Sequence, residues 1–94
     1  MEHGFLIHGE EDHVGVAIRD LQAGEVVTGV YLSSRHPVTV RVSEAIGLGH
    51  KVALVALRPG DPLRKYNEVV GVVTQAIEPG DHVHVHNIKS QRWG

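Results

Sequence analysis

The apolar residues of this chain come in short, β-branched runs, each closed by a turn rich in Gly, Pro or acidic residues. That punctuation suits strands of roughly four to eight residues and leaves almost no room for an amphipathic helix of ten or more. Phe5-Leu6-Ile7-His8 ends at Gly9-Glu10-Glu11-Asp12, a strand followed by a turn. His13 to Ile18 reads as a second strand. Val26 to Leu32 and Pro37 to Val42 read as two more, joined by a hairpin loop at Ser33-Ser34-Arg35-His36. Val38, Val40 and Val42 alternate with Thr39 and Arg41, as a half-buried strand requires. Ser43 to Gly49 is a connection that holds one helical turn at most, from Ser43 to Ile46. His50 to Leu57 is apolar at nearly every position after Lys51, which predicts a central strand buried on both faces. Val69 to Thr74 and His82 to Ile88 complete six to eight short strands. The fold class is all-β, in a single domain over residues 1–94.

One turn is used three times. Leu21-Gln-Ala-Gly24-Glu25, Leu57-Arg-Pro-Gly60-Asp61 and Ile77-Glu-Pro-Gly80-Asp81 share the form apolar-x-Pro/Ala-Gly-acid. Pro-Gly fits positions i+1 and i+2 of a type II turn, because Gly takes positive φ there at little cost. Each copy is expected to launch a strand, and the last launches the most unusual one. The spacing between copies is too uneven for a solenoid.

That strand, His82-Val83-His84-Val85-His86-Asn87, carries three of the chain's eight histidines. Spacing i, i+2, i+4 places all three imidazoles on one face of a strand. Two of them can reach one metal ion or one anion; three in line are harder to use together. A solvent-facing polar edge gives the same pattern. Gly47-Leu48-Gly49-His50-Lys51 puts a His and a Lys at the mouth of the most buried strand. There Lys51 holds a carboxylate, acts as a base, or snorkels out of the strand end. Lys65-Tyr66 can line a loop together or sit in a solvated turn. Asp12-His13 diverge if they lie in a strand, and His3, His8 and His36 have no partners in the sequence.

Composition excludes several classes. The formal charge is −2 with His neutral, so no basic face awaits nucleic acid. There is no Cys, hence no disulfide, no Cys-held zinc and no thiol nucleophile. Aromatics make up only 4% of residues, so the core has to be built from Val, Leu, Ile and Ala. No apolar stretch approaches the roughly 20 residues that span a bilayer, and Met1-Glu2-His3-Gly4 does not open a signal peptide. The expectation is a soluble cytoplasmic protein with no membrane partner.

Gly49-His50-Lys51-Val52-Ala53-Leu54, Gly60-Asp61, Lys65-Tyr66, Gly71 and Gly80-Asp81-His82-Val83-His84-Val85-His86-Asn87 together resemble the SAF domain of the altronate and galactarate dehydratase family. Asp12-His13-Val14-Gly15-Val16-Ala17 and Leu21 to Glu25 extend the likeness toward the start. Phe5 to His8 and His86 to Trp93 resemble the short, free-standing members. Asn67 stands where that family usually has Gly, and Asn tolerates the left-handed conformation such a turn needs.

The resemblance implies a small β-clip domain and a β-elimination from a small anionic 2-hydroxy acid, aided by a divalent metal, iron or manganese. It implies a small subunit of a hydro-lyase paired with a large dehydratase-type subunit. A 94-residue β domain is too small to enclose a sugar acid, so the chain is expected to give half a site, to be inactive alone and to form homo-oligomers in isolation. Carried over by position, His50, Lys51, Lys65, Tyr66, His84, His86 and Asn87 match the family's polar motifs, and the resemblance leaves their individual roles open. The chemistry of the elimination makes His84 and His86 the expected metal or carboxylate contacts, Lys51, Lys65 and Asn87 the expected substrate contacts, and His50 or Tyr66 the expected proton carrier, with His82 only the polar shoulder of the site. Two other readings stand beside this one: the small subunit of a sulfolactate sulfo-lyase, and a non-catalytic carbohydrate- or metal-binding or assembly module.

Overall fold

Phe5 decides how the main sheet is laid down. It sits on β1 (Phe5–Ile7), which pairs antiparallel with β2 (Val14–Ala17) and parallel with β3 (Val26–Tyr31). Its ring lies over Gly15 of β2 and Gly29 of β3, and a Cβ at either glycine would overlap the ring. Glycine within a strand usually marks such a close approach. It lets the chain's single Phe vanish completely from solvent. β4 (Pro37–Arg41) closes one side of this sheet against β3, and β5 (Lys51–Ala53) and β8 (His82–Val83) extend the other, giving the order β4-β3-β1-β2-β5-β8. A second sheet has the order β6-β7-β9, from β6 (Pro62–Lys65), β7 (Glu68–Val73) and β9 (Ile88–Ser90). A bulge between Leu63 and Arg64 shifts the β6–β7 register.

The computed structural model describes residues 3–65, 67–84 and 86–90, with the backbone alone at Ser90, and among them there is no helix. The all-β expectation holds, with nine strands among the described residues rather than six to eight. The additional strands are β6 and β9, whose Pro-Leu-Arg-Lys and Ile-Lys-Ser carry too little apolar alternation to stand out. The run from His50 to Leu57 is shorter than expected. Pairing stops at Ala53, residues 54–55 bend away, and Leu57 makes an isolated bridge to Ile77. Burial on both faces is nevertheless right for β5. Val52 belongs to a core with Phe5, Ile7, Leu21, Val42 and Ile46, while Ala53 belongs to a second core with Val14, Leu63, Val73, Ile77 and Val83. β5 is thus the wall between two small cores.

The repeated turn occurs four times, not three. Ile46-Gly47-Leu48-Gly49-His50 has the same form without the acid. In each copy the fifth residue's N–H donates to the second residue's carbonyl, at 3.1 Å for Glu25 to Gln22, 3.0 Å for His50 to Gly47, 2.9 Å for Asp61 to Arg58 and 3.0 Å for Asp81 to Glu78. The glycines take φ of 84°, 86°, 94° and 91°, the positive values a type II turn needs at its third position. Leading residues pair across, Leu21 with Ile46 and Leu57 with Ile77, so each core is floored by two copies. Every copy launches a strand: β3, β5, β6 and β8.

A polar clamp ties the first β-turn to the second sheet. The Asp12 carboxylate, 5% exposed, accepts from Gly9 N at 3.0 Å and from Asn67 N at 2.7 Å. Asn67, at φ 61°, accepts from Glu11 N at 3.0 Å. Next to it, His13 N donates to the Arg64 carbonyl and Arg64 N donates back to His13 Nδ1, each at 3.0 Å. Asp12→Ala leaves two N–H donors without their charged acceptor, so it is expected to cost about 3 kcal/mol. Urea unfolding checks this; a cost under about 1 kcal/mol would mean water replaces the carboxylate freely.

Candidate functional site

The last copy of the turn ends at Asp81, and the chain passes straight into β8, an edge strand only two residues long. β8 runs antiparallel to β5 with Lys51 opposite Val83 and Val52 opposite His82. This register brings His50, just before β5, level with His84, just after β8. The sequence expectation of one strand from His82 to Ile88 is corrected here: pairing ends at Val83, and the chain turns. Asn87 causes the turn. Its Oδ1 accepts from His84 N at 3.0 Å, and its Nδ2 donates to the His82 carbonyl at 2.8 Å. The main-chain N–H groups of Asn87 and Ile88 both donate to the His84 carbonyl at 3.0 Å. An Asn side chain that binds its own neighbourhood competes with strand pairing, and among the described residues no strand lies beyond β8 to oppose it.

The turn gathers imidazoles. His50 Nδ1 and His82 Nε2 are 3.1 Å apart, and their ring centroids 5.1 Å. His84 stacks on His82 at 5.6 Å with the rings 13° from parallel, and lies edge-on to His50 at 5.7 Å. His86 returns through the turn to 5.5 Å from His82. Three further imidazoles therefore gather around His82, which lies against each of them. Far from being the shoulder of this group, His82 is its centre. Burial holds its pKa below 6.5, with repulsion from His50 next; the Glu44 carboxylate opposes this, and His86 and His84 add to it. His50, His84 and His86 are exposed.

The expected lysines lie elsewhere. Strand alternation places Lys51 on the face of β5 shared with Ala53 and opposite Val83, toward the second core, while His82 shares the other face with Val52. The sequence sets Lys51 beside His50 at the mouth of a strand, as an expected substrate contact; the pleat sends it to the side of the sheet opposite His82. It is half-buried there, and burial pushes its ammonium below the usual 10.5, with the charge of Lys65 pushing further. The folded value is the lower one, so between it and 10.5 the unfolded chain binds more protons and stability rises with pH. Below that window the folded state carries the full cost of the ammonium. Lys51→Met is accordingly expected to raise the urea midpoint at pH 7, and the gap to wild type should narrow by pH 10. A Met variant less stable at pH 7 would show the lysine stem or head making a favourable contact instead.

Asn87 is 4% exposed and both its polar side-chain atoms serve the turn, so it shapes the histidine group from beneath. Tyr66 lies outside the described residues. His84 and His86, the expected metal ligands, both stand exposed beside His82. Among the described residues no three His, Asp or Glu groups converge as a set for one ion. Imidazole nitrogen is a donor that divalent iron and manganese accept, so the chemistry of these side chains is compatible with a metal. The clamp of Asp12 and Asn67 was not read from the sequence, since its partners are 55 residues apart. The centrality of His82 was missed because it depends on His50, on another strand. Among the described residues no helix is long and apolar enough to cross a membrane.

Comparison with known proteins adds what geometry does not. Residues 3–91 match the family described as the altronate/galactarate dehydratase SAF domain. The chain is 37% identical over 94 residues to the (2R)-sulfolactate sulfo-lyase subunit alpha of Chromohalobacter salexigens, covering 99% of this chain and 100% of that one. It is 52% identical over 48 residues to the protein of the same name from Paracoccus pantotrophus, covering 51% of this chain and 72% of that one. It is 36% identical over 90 residues to the altronate dehydratase of Bacillus subtilis, 96% of this chain but 17% of that much longer protein.

Proposed function

The chain belongs to the altronate/galactarate dehydratase SAF-domain family, and on that premise we propose that it is the small component of a lyase acting by β-elimination on a small anionic 2-hydroxy acid. The reading extends to a large dehydratase-type chain as partner and to a hydro-lyase reaction. The observation that carries it is the meeting of His50, His82, His84 and His86 on an open sheet edge.

In such a reaction a base takes the proton from the carbon next to the carboxylate, and the freed electron pair forms the double bond as the C–O bond on the following carbon breaks. The leaving hydroxyl takes the C–O electron pair and a proton from an acid to depart as water. An imidazole titrates near neutrality and serves either role. His50 is assigned the proton exchange, with Tyr66 as the second proton-transfer group. Lys51 and Lys65, on the other side of the edge, neutralise anionic charge on the substrate or the partner. A divalent iron or manganese ion belongs to the proposal, held by the exposed His84 and His86 with donors from substrate and partner. When bound, such an ion supplies Lewis-acid polarisation of a carboxylate and its neighbouring hydroxyl.

The sulfo-lyase reading is favoured by one observation, the 37% identity that runs the full length of the Chromohalobacter subunit. There the C–S bond would break and sulfite leave with the electron pair, so no acid is needed at the leaving group. One experiment separates the readings. The chain and its large partner are purified apart and together, and assayed on altronate, galactarate and sulfolactate. Turnover is expected from the pair alone, and the substrate consumed identifies the leaving group. Turnover by the small chain by itself would overturn the shared-site reading; none by the pair on any 2-hydroxy acid would overturn the lyase reading. Metal content of the untagged pair is expected to fall in the double variant His84→Ala, His86→Ala.

A further inference from the structure

The turn before His50 departs from its counterparts at the third position as well as the fifth. The third residue is position i+1 of the type II turn, where a proline's fixed φ fits, and the other copies hold Ala23, Pro59 and Pro79 there. Here it is Leu48. Its side chain is 63% exposed, the most exposed large apolar side chain among the described residues, and it belongs to neither core. Unlike a proline, Leu48 keeps its N–H, which donates to Asp20 Oδ1 at 2.9 Å. Gly49 N donates to the Ala17 carbonyl at 2.8 Å, and Ala17 N donates to the His50 carbonyl at 2.9 Å. These bonds at Ala17 and Asp20 lay Ile18, 43% exposed, alongside Leu48-Gly49. Two apolar side chains are thus held by their main chain and stand in water at the edge of the histidine group.

We propose that Leu48, with Ile18 beside it, is the apolar anchor by which this chain docks onto its large dehydratase-type partner. The proposal rests on the two-chain reading above and places the contact that joins the chains. Two observations select this partner over a second copy of the chain. A partner that closes the histidine edge has to cover the surface next to His50, and Leu48 precedes His50 by two residues. The Bacillus relative carries the matching segment within a much longer chain. There a covalent link holds the domain near the remainder, at an effective concentration that separate chains lack. On the two-chain reading that link is absent, and the surface has to supply the attachment. Leu48 suits the task. Its main chain is already fixed, so docking costs it little further freedom. An apolar centre flanked by the polar Asp20 and His50 is also the usual anatomy of such a contact.

Three variants of the full chain test it by titration calorimetry against the large chain of the pair assayed above. Leu48→Ala is expected to weaken binding by about 10-fold, the scale of a leucine side chain returned to water. Leu48→Lys is expected to weaken it by about 100-fold, because it puts an unpaired charge into a dry contact. Val55→Lys is the control. Val55 lies past the other end of β5 and is 40% exposed. Its variant is expected to bind within about 2-fold of wild type. All three side chains are exposed, so melting curves should stay near that of wild type. The large-chain concentration giving half-maximal turnover should rise by the same factors as the dissociation constants. A Leu48→Lys chain that binds like wild type overturns the proposal and leaves the two-chain reading standing. Val55→Lys weakened as much as Leu48→Lys also overturns it, as does a Leu48→Lys chain that loses only its self-association. If wild type binds no large chain, the two-chain reading fails and the docking contact fails with it.

Discussion

Gly80→Ala is expected to destabilise the chain by at least about 3 kcal/mol, a large share of what a domain this size has in total. Gly80 combines two demands. Its φ of 91° is one that a residue with a Cβ adopts at a cost of about 1 kcal/mol or more. A Cβ there would also overlap the carbonyl oxygen of Arg41 at the end of β4, and backbone does not move aside as a long side chain would. The carbonyl of Gly80 in turn accepts from Ser43 N at 3.1 Å, and Asp81 from Ser43 Oγ at 2.7 Å, so the turn is seated on the start of the connection after β4. Gly60→Ala is the control. Its φ is 94°, but a Cβ there meets nothing within 4 Å, so only the cost of about 1 kcal/mol remains. Urea or thermal unfolding of both variants gives the comparison. Equal costs would mean that the turn at Gly80 is not packed against β4. Because this turn launches β8, the histidine group should be lost with it.

His50→Asp is expected to do the reverse, leaving stability within about 1 kcal/mol of wild type while lowering turnover of the reconstituted pair by about 100-fold to 10,000-fold. An acid at the fifth position is what the other three turns use, and a turn closed by its own carboxylate should accept it. The nearby Asp20 carboxylate already caps this turn at Leu48, which limits any gain through like-charge repulsion. Melting curves and steady-state kinetics on the same preparation settle the matter. Full turnover by the Asp variant would remove His50 from the proton-transfer role. A strongly destabilised variant would show that His50 supports the fold rather than the site.

The two experiments probe one arrangement from opposite ends. Gly80 fixes where β8 begins, and His50 marks where β5 begins. The pairing of these two short strands is what makes histidines 32 residues apart in the sequence neighbours in space. The Lys51 and Asp12 variants described above belong to the second core and its clamp.

The sequence determined the all-β class and most of the strands. It also determined three of the four repeated turns, because these follow from local rules: β-branched alternation, and glycine where φ must be positive. It determined which residues are unusual, above all the histidines before β5 and after Asp81. It also supported the left-handed Asn67, found at φ 61°. The tertiary structure decided the rest, for one physical reason. The side a residue faces depends on register with a partner strand, and register is a long-range property. Lys51 reads as a neighbour of the histidines and is sent to the opposite face by its pairing with Val83. His82 to Asn87 reads as one strand and folds into a turn because Asn87 turns its amide inward at an edge. The fourth turn escapes notice because it lacks the acid, and that missing acid is what leaves the His50 ring free to meet His82.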